Sequence, residues 1–129
     1  MGNLGGTSPA ISLARAFAVE AGYSAFLAFV IMSVATDERA PAGIAPIAVG
    51  ATVFAGALVT GPLTGGSFNP ARSLGPALAG GTWTAHWLYW LAPILGMIVA
   101  MHMYDALRPA NLPAVVPRGV PLGVEGPIE

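Results

Sequence analysis

The sequence predicts an all-α membrane protein with three transmembrane helices and one re-entrant half-helix. Three observations carry that expectation. Of 129 residues, 55 % are hydrophobic and only 9 % charged, where soluble domains are about one-quarter charged. The apolar residues gather into three long runs with almost no charge inside them. Between the second and third runs lies GPLTGGSFNPARSLGPALAGG, too apolar for a solvent loop and too broken by Gly and Pro for a continuous span.

The first run, residues 11–35, includes AFAVEAGYSAFLAFVIMSVA and meets the roughly 20 residues that a membrane-crossing helix needs. A polar turn, TDERAP, follows it. The second run, 42–60, carries Pro46 in its first turns, where a missing donor costs little. Its small residues Gly50, Ala51, Ala55, Gly56 and Ala57 suit close helix packing in lipid. The third run, 83–103, opens with Trp83 and holds Trp87, Tyr89 and Trp90, amphipathic rings suited to a membrane interface. The broken stretch resolves around Asn69-Pro70. Asn is a good N-cap and Pro fits the first helical position, so a half-helix is expected over 69–79, with extended or turning chain over 61–68. Its rise of about 15 Å is half a hydrocarbon core. Residues 106–129, rich in Pro and Gly, read as a disordered tail.

Composition excludes several functions. A net charge of −1 without any Lys argues against nucleic acid. No Cys is present, which removes disulfides and thiolate chemistry. The first residues do not fit a secretory signal, and Gly6 breaks the myristoylation pattern. An enzyme is not expected, because Glu20, Asn69 and Arg72 supply no acid/base pair. No metal or cofactor is expected, since His86 and His102 sit near opposite ends of the third span with no ligand set around them. Met97, Met101 and Met103 read as packing or lipid-facing residues.

Arg72 is the only formal charge between Arg39 and Asp105, and a cation costs at least a few kcal/mol in a membrane unless water or acceptors satisfy it. The half-helix aims its positive end and unpaired donors at the bilayer centre. Asn69 adds a side-chain amide, and Arg72 lies about one turn on. Together they suit the wall of a pore that donates hydrogen bonds to a neutral permeant and repels cations. Glu20, the other charge inside a span, reads as a brace accepting donors from the irregular 64–68 backbone; the alternative is a solvated carboxylate beside Arg15.

These pieces resemble the C-terminal half of the aquaporin and glycerol-facilitator family. The resemblance covers about residues 6–105, through AFAVEAGYSAFLAFVIMSVATDERAPAG, GPLTGGSFNPARSLGPALAG and HWLYWLAPILG. It implies an aquaporin-like half repeat of a homotetrameric channel in which each protomer holds six spans and two inverted half-helices. By resemblance Asn69, Pro70 and Ala71 form the second Asn-Pro-Ala motif, and Arg72 is the filter arginine. Ala57 stands where water channels carry a bulky His, and Gly66 fills the small loop position of the filter. Carbonyls near Gly65, Gly66 and Ser67 would guide permeants, with Glu20 bracing them. The small Ala57 and Gly66 imply passage of a glycerol-like solute, whereas Ser73 and Tyr89-Trp90 resemble water channels.

Three spans and one Asn-Pro-Ala motif make half of such a pore. Three explanations stand: a truncated product, a separate N-terminal half that completes the pore, or two copies paired head to foot. A non-conducting assembly subunit is the alternative function. Arg39, Arg108 and Arg118 fall on one side and Arg15 on the other, which places the tail in the cytoplasm; the plasma membrane is the expected location.

Overall fold

The computed structural model describes residues 5–108. Its helices are α1 (Leu13–Ile31), α2 (Ile44–Thr64), α3 (Pro70–Gly80) and α4 (Leu88–Leu107), with a π-helical turn, Met32–Thr36, extending α1. The fold is all-helical, with no strand among the described residues. Three segments, Leu13–Thr36, Ile44–Thr64 and Leu88–Leu107, are long and apolar enough to cross a membrane. The predicted tail falls mostly on residues 109–129, outside the described residues; its first residues are helical, because α4 runs to Leu107.

Helix α1 packs most extensively on α4. The reason is Gly96, where an added Cβ would overlap the carbonyl of Ala21. Two backbones can approach this closely only without a side chain between them. Ala16, Leu88, Tyr89 and Ala92 are fully buried around the same crossing. On the other side of α1, Gly56 of α2 admits the rings of Tyr23 and Phe68, whose centroids lie 4.8 Å apart. The Tyr23 hydroxyl donates to the Thr52 carbonyl at 2.9 Å.

Helix α2 inverts the pattern of a soluble helix. Its buried residues are Thr52, Gly56, Thr60 and Thr64, one per turn along a single face. Ile47, Phe54, Leu58 and Val59 point outward, each more than 60 % exposed. Threonine tolerates this burial because its hydroxyl finds an acceptor inside the protein: Thr52 donates one turn back to Ala48 and Thr60 to Gly56, while the single Thr64 proton goes to the closer Glu20 carboxylate. Hydroxyls likewise back-bond in the π-helical turn, Ser33 to Phe29 and Thr36 to Met32.

Two boundaries differ from expectation. Helix α2 continues past residue 60 to Thr64, so Gly61–Thr64 is helical rather than extended. Pro62 removes one donor, yet the last turn is well satisfied: Gly65 N–H bonds Gly61 O, Ala10 N–H bonds Leu63 O and Tyr89 OH bonds Thr64 O. Helix α4 starts at Leu88 rather than Trp83. Ala85 takes a left-handed φ of 49°, and tight turns carry the chain from Trp83 until the helix begins. The half-helix starts at Pro70 behind an Asn69 cap and ends at Gly80.

Opposite the Trp83 end, Asp37 closes the bundle. It accepts from Arg39 Nη2 at 2.6 Å, Arg39 Nε at 3.0 Å and the Tyr104 hydroxyl. The Arg39 guanidinium first, and the Tyr104 hydroxyl second, hold this carboxyl well below the usual carboxylate range.

Two stability outcomes follow. Gly96→Ala should lower the thermal midpoint in detergent, at a cost of about 1–3 kcal/mol from overpacking. Gly22→Ala, on the same helix pair with nothing near its absent Cβ, should be neutral or stabilising by up to about 1 kcal/mol; equal losses in both would disprove the close crossing. Because the folded Asp37 pKa is depressed, its stabilisation is full above the unfolded-chain value near about 4 and disappears as pH falls below it. Thermal midpoints recorded from neutral to acid pH should therefore drop more steeply in the native chain than in Asp37→Asn.

Candidate functional site

The candidate site is the turn between α2 and α3, and it is built around a carboxylate. Glu20 is fully buried, two turns into α1. Its Oε1 accepts Thr64 Oγ1–H at 2.6 Å and Ser67 N–H at 3.0 Å, while Oε2 accepts Phe68 N–H at 3.0 Å. A carboxylate has about four acceptor sites, and three are used here on one short turn. Thr64 is held from both sides, since its carbonyl accepts the Tyr89 hydroxyl at 2.7 Å.

Glycine is required twice in this turn. Gly65 has φ 87°, and a Cβ there would press on Thr7 Cα at 2.8 Å; Gly66 has φ 61° with Thr60 Oγ1 3.1 Å from its absent Cβ. Phe68 takes φ 54°, an uncommon left-handed position for a bulky residue. Its backbone bond to Glu20 and its ring contact with Tyr23 hold it there.

Helix α3 then starts as its sequence dictates. Asn69 Oδ1 accepts Ala71 N–H at 2.9 Å, which leaves the Nδ2 group as donor. Pro70 occupies the first helical position, where its absent N–H costs nothing. Ser67 Oγ donates to Asn69 O at 3.0 Å and lies 2.6 Å from Ser73 Oγ. With the Ser67 proton committed, Ser73 is the donor in that pair. Arg72 is exposed one turn into the helix, and its Nη1 donates to Gly5 O at 2.5 Å.

Ser67, Asn69 and Arg72 border one open cavity of about 290 Å³, closed on its other sides by Leu27, Ile31 and Met97. The donors that reach it are the Asn69 amide and the Arg72 guanidinium, and the rest of its lining is almost wholly hydrocarbon. Ala57 lies outside this group, but its Cα is 3.6 Å from the position a Gly66 Cβ would take. Glu20 does not reach the cavity; it acts from behind, on the backbone of Ser67 and Phe68. Among the described residues no three His, Asp or Glu side chains converge on a metal-binding position.

Sequence reasoning missed the segment before α1. Gly5 holds Arg72, Thr7 packs under Gly65, and Ala10 N–H caps the last turn of α2. These contacts are backbone-made between distant parts of the chain, so no side-chain pattern announces them. It also missed the structural roles of Thr64, Ser73 and Tyr89. Their signal was present as polar atoms in apolar surroundings, which must find partners when buried.

Comparison with known proteins shows the family. The family described as Major intrinsic protein matches residues 2–104. The chain is 48 % identical over 108 residues to Aquaporin NIP1-2 of Oryza sativa subsp. japonica, covering 84 % of this chain and 36 % of that protein. It is 46 % identical over 104 residues to Aquaporin NIP6-1 of Arabidopsis thaliana, covering 81 % and 34 %. With Nodulin-26 of Glycine max the identity is 43 % over 116 residues, covering 88 % and 43 %. The chain therefore spans well under half the length of these relatives. A membrane-crossing bundle that carries Asn-Pro-Ala-Arg at the start of a half-helix, and matches that family over most of its length, belongs to the major intrinsic protein family.

Proposed function

We propose that this chain forms half of a passive channel for water and small neutral solutes such as glycerol. The observation that carries the reading is the shared cavity wall of Ser67, Asn69 and Arg72 at the N-terminus of α3. Backbone donors at this helix start, the Asn69 amide and the Arg72 guanidinium all favour oxygen lone pairs pointing toward them. A permeant water would turn its oxygen to this wall and its hydrogens away. A cation or hydronium meets the positive helix end and a fixed guanidinium. Cations therefore lose their hydration without gaining acceptors, whereas neutral hydroxyls exchange one set of hydrogen bonds for another.

Ala57 and Gly66 leave space near the turn, which favours a permeant larger than water. A second wall is needed, because Asn69 and Arg72 are exposed within the described chain. In this reading a complementary three-span half supplies it, with a second copy in inverted orientation as the other source. Complete protomers then assemble as a homotetramer, with the residues after α4 on the cytoplasmic side of a plasma membrane.

Stopped-flow shrinkage of proteoliposomes tests this. The chain alone should match empty vesicles for water and glycerol. Co-reconstitution with the N-terminal half of a family relative should raise water flux by about tenfold or more, as a completed pore requires. An Asn69→Ala/Arg72→Ala variant at equal insertion should abolish that gain. Fast flux from the chain alone, lost in the double variant, would instead show self-assembly; absent flux in every combination would leave only the scaffold role.

Glu20→Gln should act on the same turn from behind. Its amide places a donor against either Phe68 N–H or the Thr64 and Ser67 donors, at a cost of about 1–3 kcal/mol. Amide exchange at Ser67 and Phe68 should quicken by about tenfold or more, while helix content by circular dichroism is retained. Unchanged exchange would disprove the brace.

A further inference from the structure

The sequence reads Met97, Met101 and Met103 alike, and the structure separates them. Met101 and Met103 are 46 % and 54 % exposed. Met103 borders an apolar groove with Phe26 and Phe29, and Met101 lies one turn beyond Met97, outside the cavity that holds donors. The fourth described methionine, Met32, lies in the π-helical turn with its sulfur 3.8 Å from the Thr36 hydroxyl. Met97 is less exposed than Met101 or Met103, yet it borders the cavity of about 290 Å³ shared by Asn69 and Arg72. The chain has no Cys, so among the described residues this thioether is the sulfur that meets those donors.

The two kinds of group have complementary chemistry. A thioether offers an oxidisable lone pair. Asn69 Oδ1 already accepts Ala71 N–H, and Gly5 O holds Nη1 of Arg72, which leaves the Asn69 amide and the other guanidinium N–H groups as donors. A small hydroperoxide suits both. Its oxygens accept from the donors, and its O–O bond is open to attack by sulfur. The sulfur lone pair forms a bond to one oxygen as the O–O bond breaks. The departing oxygen keeps the bonding pair and takes the proton of the attacked one. Sulfur is thereby oxidised by two electrons to the sulfoxide, and hydrogen peroxide is reduced to water. Donors held at the departing oxygen stabilise the charge that develops there.

Position limits which oxidants arrive. Met97 lies midway along α4, about 15 Å from either helix end, so a water-borne peroxide meets it through the cavity rather than at a membrane surface. We propose that Met97 is a sulfoxidation site for small hydroperoxides, and that its sulfoxide oxygen then occupies the Asn69 and Arg72 donors. Oxidation turns an apolar side chain into a polar one, and here the new acceptor forms in a cavity whose polar groups are donors. It takes the hydrogen bonds that a permeant hydroxyl would use. That consequence rests on the channel reading, whereas the oxidation needs only the cavity.

The full chain in phosphatidylcholine vesicles would be treated with hydrogen peroxide, and oxygen gain at each methionine followed by mass spectrometry of its peptides. Exposure alone ranks Met101 and Met103 first. Met97 should instead lead both by about tenfold, a modest effect for donors placed at a departing oxygen. Cumene hydroperoxide, bulky and lipid-soluble, should reverse the order by reaching Met101 and Met103 from the acyl chains. Arg72→Ala should remove the Met97 lead and leave the other two rates unchanged, which also reports an intact fold. Met97 oxidised no faster than the others, leading under both reagents, or keeping its lead in Arg72→Ala would overturn the site. In the pore completed by a relative's N-terminal half, peroxide should bring water flux toward the empty-vesicle level, while Met97→Leu keeps its own untreated value. Equal losses in both would overturn the blocking role. A completed pore without flux before peroxide would count against the channel reading, and the peptide map would still decide the site.

Discussion

The fold depends on one buried carboxylate. Glu20 sits inside α1 with no exposure, where a bare charge in a low-dielectric interior is strongly disfavoured. Its environment is arranged to keep it satisfied: one hydroxyl and two backbone N–H groups converge on it from Thr64, Ser67 and Phe68. The same three bonds give the chain its irregular course. Backbone without regular partners is tolerated at membrane depth only when protein or a wet cavity satisfies it. Glu20 supplies what a helix or sheet would otherwise supply, and the turn in exchange makes the charge tolerable. Neither partner is stable there alone.

Around that brace the packing follows the rules of a solvent that is itself apolar. Burying Leu or Phe against another helix gains little when lipid offers the same contact, so close approach and internal hydrogen bonds decide which faces meet. This is why α2 turns Thr52, Gly56, Thr60 and Thr64 inward and Phe54, Leu58 and Val59 outward. It is also why α4 meets α1 so closely at Gly96, where no Cβ could fit against the backbone of Ala21. A water-soluble reading of the same helix would place every one of these faces the wrong way round.

Much of this was legible in the sequence, for identifiable reasons. Asn69-Pro70 announces a helix start because cap and first position have distinct chemical demands, and the structure begins α3 there. Glu20 drew attention because an ionised group inside an apolar run needs partners. The ends of α2 and α4 were less legible. Pro62 and the glycines around it read as breakers, yet tertiary donors from Ala10 and Tyr89 satisfy the last turn and let the helix continue. Trp83 reads as a span residue, yet the left-handed Ala85 delays the helix until Leu88. The contact of Gly5 with Arg72 had no sequence signal at all, since a backbone carbonyl is present at every residue.

That last contact bears on why the exposed cation is an arginine. A lysine ammonium is a compact point charge on a flexible stem and can swing all its donors toward one carbonyl. A guanidinium carries five donors in a rigid plane, so binding one edge fixes where the others aim. Gly5 O holds Nη1 of Arg72, and the same side chain borders the cavity shared with Asn69 and Ser67. The segment before α1 therefore orients the charge rather than neutralising it. Thr7, packed beneath Gly65, ties that segment to the turn that Glu20 braces. The orientation of Arg72 and the shape of the turn thus meet in one short segment, where Gly5 holds the guanidinium and Thr7 lies against Gly65.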